Sequence, residues 1–193
     1  MRNRILCGAQ KLFQEKGLGK ITMEDIANFI GKGKSTLYYY FKSKEDIFSA
    51  VLDMEINEII VEAIRQMSQC STFLEKLETF GRVKYEMTRK RKTLYATMER
   101  FTAPEEMQQY YLIKSNVHLK YVQQEKVALL PVFLEAISQN IIKKLDDEAL
   151  DAVILVFLCS LRGLNREVYL HGRSEDAIRL IRVQCEIFYR GIS

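Results

Sequence analysis

Apolar residues recur at helical spacing along almost the whole chain, and few helix-breaking residues interrupt them. The 193 residues include only two prolines and nine glycines. Residues 4–16 show the one-face pattern of an amphipathic helix, through Ile5, Leu6, Ala9, Leu12 and Phe13. No segment has the strict alternation of a half-buried strand. The pattern therefore predicts an all-α protein.

Capping residues divide the first part of the chain into helices. Gly17 stands where a left-handed cap would end the first helix. Thr22, with Asp25 three residues later, resembles a capping box. Ser43 precedes a long amphipathic segment, residues 43–67, and is predicted to be its N-terminal cap. We expect three short helices followed by one long helix.

The remaining residues are predicted to form a larger helical body. Thr72 marks one further helix start and Asp146 another. Pro131 lies within residues 105–144 and predicts a break near Leu129 and Leu130. The longest apolar run, residues 152–159, is far shorter than the roughly 20 residues that cross a bilayer. We therefore expect no membrane segment and a cytoplasmic protein.

The positive charge of the chain is concentrated near its start. Residues 1–50 hold nine Lys or Arg and five Asp or Glu, whereas residues 51–193 hold 20 of each. This distribution accounts for the whole formal charge of +4. A basic surface on a neutral body is typical of a phosphate-binding module joined to another domain.

Residues 22–41, TMEDIANFIGKGKSTLYYYF, have the plan of a helix-turn-helix: two short helices around a glycine-bearing turn. If Leu37 and Phe41 face the core, Ser35 and Tyr39 face outward and Thr36 does so less directly. Hydroxyls and an aromatic ring on an exposed face can contact base edges and phosphates in a major groove. The alternative is that the tyrosines pack inside a helical hairpin.

Residues 21–51 closely resemble the DNA-binding segment of TetR-type bacterial regulators. The matching motifs are Asp25-Ile26-Ala27, Gly31, Thr36 to Phe41, and Ser43-Lys44-Glu45. Two positions depart from the family pattern: Lys32 replaces an apolar residue, and Gly33 replaces a polar cap. Glycine is an acceptable helix cap, so the pattern survives.

The resemblance implies a three-helix DNA-binding domain, residues 1–46, and an effector-binding and dimerisation domain, residues 47–193. It implies that Lys34, Ser35, Thr36 and Tyr39 face the groove. It also implies that phosphates are held by Thr22, Tyr38, Tyr40 and Lys44. The expected partners are double-stranded operator DNA, a second copy of the chain and a small effector. The expected function is a regulator, most simply a ligand-released repressor.

The resemblance also implies dimerisation through the last two helices, and the sequence supports a buried face on one of them. The helix that contains residues 152–159 is apolar all round, and such a helix must be buried on every side. A body of this size has little room to cover it without a second subunit. The expected interface residues are Val153, Phe157, Leu161, Leu164, Ile178, Ile181 and Cys185.

The resemblance places the effector site among aromatic and methionine side chains of the larger domain. These are Tyr85, Met87, Tyr95, Met98, Phe101, Tyr110, Tyr111, His118 and Tyr121. Such residues form a helical core as readily as a pocket. No buried cluster of charges is evident, so we expect a mostly apolar pocket and a hydrophobic or amphipathic effector, neutral or singly charged.

Catalytic, cofactor and metal sites are not expected. Gly33-Lys34-Ser35 suggests a phosphate-binding loop, but Asn28 stands where that motif needs its first glycine. The four cysteines, Cys7, Cys70, Cys159 and Cys185, lack metal-ligand spacing and are expected to be reduced structural thiols. The alternatives left open are a thiol-based redox sensor, a DNA-binding activator, and a helical protein-interaction module that binds no DNA.

Overall fold

The computed structural model describes residues 1–90, 104–171 and 175–193, and these residues contain eight helices and no strand. The helices are α1 (Arg2–Lys16), α2 (Met23–Phe29), α3 (Lys34–Tyr40), α4 (Lys44–Met67), α5 (Phe73–Lys90), α6 (Pro104–Ser138), α7 (Asp147–Leu170) and α8 (Ala177–Ile192). The all-α prediction is confirmed. None of the described helices is both long and apolar enough to cross a membrane.

Side-chain caps begin several helices where the sequence places them. The Thr22 hydroxyl accepts a hydrogen bond from the Asp25 amide, and the Asp25 carboxylate accepts one from the Thr22 amide, so the capping box is complete. Ser43 caps α4 through the Asp46 amide. Asp146 caps α7 through the Ala149 amide. Each cap satisfies an amide that the first helical turn leaves without a partner.

Two predicted boundaries differ from the structure. Gly17 has φ 80° but ψ 159°, so it ends α1 with a positive φ and not in the left-handed helical conformation. Pro131 does not break its helix, because α6 runs without interruption from Pro104 to Ser138. Leu129 and Phe133 flank the proline and are fully buried in a core. Their packing offsets the lost backbone hydrogen bond.

The chain divides into two compact units. The first comprises Met1–Asn57 with Arg89–Lys120, and the second comprises Glu58–Thr88 with Tyr121–Ser193. Both α4 and α6 therefore have residues in each unit. The predicted boundary after residue 46 divides DNA binding from effector binding and dimerisation, and it does not coincide with an edge of either compact unit. This division of functions stays a prediction.

In the first unit, α1 packs against α2 and α4. Ile5, Leu6 and Phe13 of α1 are buried. The rings of Phe13 and Phe48 meet edge to face with centroids 5.3 Å apart. A Cβ on Gly8 would lie 2.4 Å from Ile30, so α1 and the end of α2 approach too closely for any side chain there.

The second unit is built around a core of aromatic and aliphatic side chains from α5, α6, α7 and α8. Phe73 meets Phe133 with ring centroids 5.1 Å apart, and Phe157 meets Phe188 at 4.9 Å. A Cβ on Gly81 would lie 2.7 Å from Ile181, so α5 lies directly against α8. This close packing leaves the outer faces of α7 and α8 as surface.

Candidate nucleic-acid interface

The second and third helices meet at a sharp turn whose geometry depends on glycine. Gly31 has φ +66°, in the left-handed region that favours glycine. The Lys32 amide donates to the Ala27 carbonyl at 2.9 Å, which closes the end of α2. Gly33 begins α3 in an extended conformation without a side-chain cap. The chain thus turns within the few residues between α2 and α3.

Contacts from α1 and α4 hold this helix pair in place. Arg4 of α1 donates to the Ile30 carbonyl at 2.8 Å, which satisfies a backbone acceptor at the end of α2. The Arg2 guanidinium lies 5.2 Å from the centre of the Phe41 ring. Lys44 donates to the Leu18 carbonyl at 3.2 Å. The roles of Arg2 and Arg4 were not predicted, because nothing local in the sequence marks a contact across some 26 or more residues.

The two faces of α3 differ as the sequence predicts. Leu37 is fully buried, and Phe41, which follows the helix, is 7% exposed. On the opposite side, 82% of Tyr39 is exposed to solvent. The interpretation that the tyrosines lie inside a helical hairpin is wrong, because Tyr38, Tyr39 and Tyr40 are all exposed.

The other residues predicted to contact DNA lie around this face. Lys34 and Ser35 are exposed at the start of α3, and Thr36 is half-buried. The Lys34 ammonium lies 3.8 Å from the Glu24 carboxylate, a solvent-exposed pair that is easily exchanged for another anion. Thr22 is exposed at the start of α2, although its hydroxyl already serves the capping box. Its role at a phosphate is untested.

The residues predicted to bind an effector do not converge in one unit. Tyr85, Met87 and Tyr121 belong to the second unit and are buried or half-buried. Tyr111 and His118 belong to the first unit and are exposed. The predicted residues Tyr95, Met98 and Phe101, and the side chain of Tyr110, lie outside the described part of the chain.

The second unit does contain a buried ionic cluster, contrary to the expectation. Lys84 of α5 and Arg162 of α7 both donate to the carboxylate of Glu125 on α6. Glu125 is fully buried and Lys84 is 4% exposed. These three residues are far apart in sequence, so no local pattern could reveal the cluster.

The residues predicted to form the dimer interface fall into two groups. Phe157, Leu161, Ile181 and Cys185 are buried within the second unit's own core, so they have no surface to offer a partner. Val153 and Leu164 are half-buried, and Ile178 is exposed. The exposed apolar surface lies elsewhere on the same helices, at Leu155 and Val156 of α7 and Val183 and Ile187 of α8.

The cysteines differ in accessibility. Cys7 and Cys159 are exposed free thiols, which does not fit the structural role expected of them. Each lies on the outer side of its helix, where apolar neighbours in sequence point inward. Cys185 is buried, and burial raises the pKa of its thiol to about 12. Cys70 is half-buried, with its sulfur 3.3 Å from the Thr79 hydroxyl.

Curated relatives match the N-terminal part of the chain. Residues 5–51 match the model of the tetR family of bacterial regulatory proteins. The HTH-type transcriptional regulator SAB2452 of Staphylococcus aureus is 41% identical over 61 residues, 32% of this chain and 33% of that protein. The biofilm operon icaADBC negative transcriptional regulator IcaR of S. aureus is 42% identical over 48 residues, 25% and 26% of the two chains. The matched segments thus span a third or less of these relatives.

Solved structures resemble the chain over its full length. A TetR transcription regulator from Haloarcula marismortui superposes with a TM-score of 0.72 at 15% identity, covering 99% of this chain and 97% of that one. The transcriptional regulator FadR from Bacillus subtilis, in complex with stearoyl-CoA, has a TM-score of 0.67 at 20% identity and covers both chains fully. Residues 5–51 of this chain thus belong to the tetR family of bacterial regulatory proteins, and the whole chain has the fold of a TetR regulator.

Proposed function

We propose that the protein is a transcriptional regulator that binds operator DNA through α2 and α3. The observation that carries the proposal is the outward face of α3, where Tyr39 is 82% exposed on the second helix of a helix-turn-helix. An exposed aromatic helix face needs a partner, because a helix that meets only water normally presents charged side chains. In a helix-turn-helix the second helix enters the major groove.

The groups on this face suit a major groove. Tyr39 can donate a hydrogen bond to a base acceptor or lay its ring against a thymine methyl. Ser35 can donate or accept at a base edge, and Lys34 can donate to guanine or to a phosphate. We assign the phosphate contacts to Tyr38, Tyr40 and Lys44, with Thr22 at the start of α2. Lys44 now donates to the Leu18 carbonyl. It would exchange this neutral acceptor for a charged phosphate oxygen, which forms the stronger bond.

A protein-interaction module is the competing function, since an exposed aromatic face can also bind protein. The charge distribution favours DNA. The whole excess of positive charge lies in the first fifty residues, which contain this face. A basic surface attracts a polyanion over a distance and strengthens binding by releasing counterions.

Dimerisation is proposed through the outer faces of α7 and α8. On α7, Ala152, Leu155, Val156 and Cys159 are exposed and share one side of the helix. On α8, Val183 and Ile187 share one side and are also exposed. Two neighbouring apolar helix faces from each of two copies can pack as a four-helix bundle. A dimer of this kind would bind a palindromic operator with half-sites about 34–36 Å apart, or a multiple of that spacing.

Repression with release by a ligand is the regulatory mode we propose. The relative IcaR is named as a negative regulator, and FadR was solved with a bound ligand. An effector that binds the second unit more tightly in the DNA-free state would lower operator affinity, and DNA would lower effector affinity equally. A regulator of this kind acts where the chromosome lies, so the proposal also places the protein in the cytoplasm.

The test of DNA binding uses the full chain and a random duplex library. Repeated selection should enrich a palindromic site, and the affinity for it should fall steeply with rising salt. Tyr39→Ala should weaken binding to the selected site by about 1–3 kcal/mol. Lys143→Ala, which removes an exposed lysine of the second unit, is the matched control and should bind normally.

Failure to enrich any duplex would leave the protein-interaction module as the better reading of the tyrosine face. A reporter gene under the selected site then separates repressor from activator. Expression of the regulator should lower reporter output, and higher output would identify an activator.

A further inference from the structure

The buried ionic cluster of the second unit, Lys84, Glu125 and Arg162, joins three helices around one carboxylate. Glu125 accepts from Arg162 at 3.0 Å through one oxygen and from Lys84 through the other. The Lys84 ammonium also lies 5.0 Å from the centre of the Tyr121 ring. Both oxygens of Glu125 are thus directed at cations, and its charge is already shared between them.

The cluster contains one more basic group than acidic groups. In an apolar interior an uncompensated charge is costly, and a protein either supplies a counter-charge or lets the group lose its proton. Burial lowers the pKa of Lys84, although the neighbouring Glu125 acts in the opposite direction. Arg162 lowers this pKa further, and a second anion nearby would favour the charged form of Lys84.

Two amide side chains that neighbour cluster residues along α6 and α7 have a buried oxygen without a hydrogen bond in the part of the chain that the structure describes. Gln124 precedes Glu125 on α6, and Asn165 follows Arg162 by about one turn of α7. The side-chain oxygen of each is buried and makes no hydrogen bond with any residue that the structure describes. Such an unsatisfied group costs roughly as much as a lost hydrogen bond. Because an amide can rotate to present its NH2 group instead, each can also donate.

Arg162 is the member of the cluster that is partly exposed and also has donors left for a ligand. One of its terminal nitrogens donates to Glu125. The other has the Cys159 sulfur, a weak acceptor, at 3.8 Å as its partner. Its side chain is 22% exposed, whereas Glu125 is fully enclosed. A ligand that reaches the cluster would therefore meet the guanidinium before the carboxylate.

We propose that the cluster is the recognition site for an effector with a single carboxylate on an apolar body. The carboxylate would accept hydrogen bonds from Arg162 and from the amides of Gln124 and Asn165, and it would supply the missing counter-charge for Lys84. The apolar body would contact the surrounding core side chains of the second unit. The inference rests on the proposed function in that this ligand would be the effector that controls DNA binding.

Charge balance separates this ligand from its alternatives. A cationic ligand would place a third positive charge around one buried carboxylate that already serves two. A neutral ligand could satisfy the amides but would leave the excess positive charge uncompensated. Only an anion can both bond to the amides and compensate the excess positive charge. A single carboxylate adds one negative charge, which equals the excess positive charge of the cluster.

The test compares head groups on a constant apolar body, with octanoate, octan-1-ol and octylammonium as probes for the full-length protein. Calorimetric titration should give a dissociation constant about tenfold lower for octanoate than for octan-1-ol, the effect expected of a charge-assisted hydrogen bond. Octylammonium should bind more weakly than either. A preference for octylammonium, equal binding of all three, or no binding at millimolar concentration would overturn the proposal.

Variants locate the preference. Arg162→Leu should abolish the discrimination between octanoate and octan-1-ol, and Arg162→Lys should restore part of it. Lys126→Gln is the matched control, because Lys126 pairs with Asp151 across the same two helices outside the cluster. It should keep the full preference. Gln124→Leu provides a second test should Arg162→Leu fail to fold, with a weaker octanoate preference expected. An unchanged preference in Arg162→Leu or Gln124→Leu would contradict the assignment.

Operator binding, measured separately, keeps this proposal distinct from the proposed function. Normal binding to selected DNA without head-group discrimination would overturn the carboxylate site and leave the regulator standing. Octanoate discrimination without any DNA binding would support the site and overturn the regulator. When the protein both binds the operator and discriminates between the head groups, octanoate should lower operator affinity in the wild type and not in Arg162→Leu.

Discussion

Gln10 of α1 donates a hydrogen bond of 2.7 Å to Glu55 of α4, whose side chain is almost fully buried. The bond fixes the first helix on the long helix within the first unit, across 45 residues of sequence. Because α1 also packs against α2, the position of α1 on α4 bears on how the helix pair α2 and α3 is held. A buried carboxylate that loses a donor is costly, which makes this pair testable.

Gln10→Ala should lower the free energy of unfolding by about 1–3 kcal/mol, since a buried acceptor loses a partner. Urea denaturation followed by circular dichroism measures the change. Gln14→Ala, one turn later on the same helix, is the control and should have a smaller effect. Equal destabilisation by the two substitutions would show that helix packing, and not the bond to Glu55, matters.

Gly31→Ala should destabilise the first unit by about 1–2 kcal/mol, because an L side chain is strained at φ +66°. The added methyl meets no atom within 4 Å, so the cost would be conformational. Gly33→Ser is the paired substitution. Its backbone is extended and a Cβ fits, so serine should cap α3 and stabilise it by a few tenths of a kcal/mol. Thermal denaturation of both variants checks these opposite signs.

Val156→Glu should convert a dimer into a folded monomer. Val156 is 60% exposed in the single chain, so a charge there disturbs only a surface that a partner covers. Sedimentation should give about twice 22.6 kDa for the wild type at micromolar concentration and half of that for the variant. Leu161→Glu, by contrast, should unfold the protein because Leu161 is fully buried. A monomeric wild type would contradict the proposed interface.

Glu125→Gln should lower the free energy of unfolding by about 3–5 kcal/mol, since it leaves the buried Lys84 and the partly buried Arg162 without their carboxylate. Lys126→Gln breaks a neighbouring pair whose carboxylate, on Asp151, is exposed, and should cost no more than about 1 kcal/mol. Chemical denaturation compares the two. A small loss in Glu125→Gln would mean that the cluster tolerates its charge without Glu125, for example through solvent access.

Thiol alkylation should distinguish three of the four cysteines. Cys185 should react only when the protein unfolds, because burial blocks access and its pKa of about 12 leaves almost no thiolate at neutral pH. Cys7 should react in the folded protein. Cys159 lies on the proposed dimer surface, so it should be protected in the wild type and reactive in Val156→Glu. Mass spectrometry after a timed exposure to iodoacetamide measures each rate, and rapid labelling of Cys159 in the wild type would argue against the interface.

Local chemistry determined the helices and the tyrosine face. The capping box at Thr22 and Asp25 needs only two side chains three residues apart, so the sequence predicts it and the structure has it. Leu37 is buried and Tyr39 is exposed because residues two positions apart in a helix lie on roughly opposite sides. The helical period therefore predicts the exposed face of α3 without knowledge of the fold. Such features depend on residues within a turn or two of one another.

Features that depend on distant residues were decided only by the tertiary structure. Pro131 predicts a break, yet burial of Leu129 and Phe133 on either side keeps α6 continuous. The apolar run of α7 indicates a buried helix, but only packing decides that Phe157 faces its own core while Val156 faces outward. Glu125 meets Lys84 and Arg162 across 41 and 37 residues. Periodicity describes one helix at a time, whereas the side of a helix that meets its neighbours, and the charges that meet there, depend on how all the helices pack.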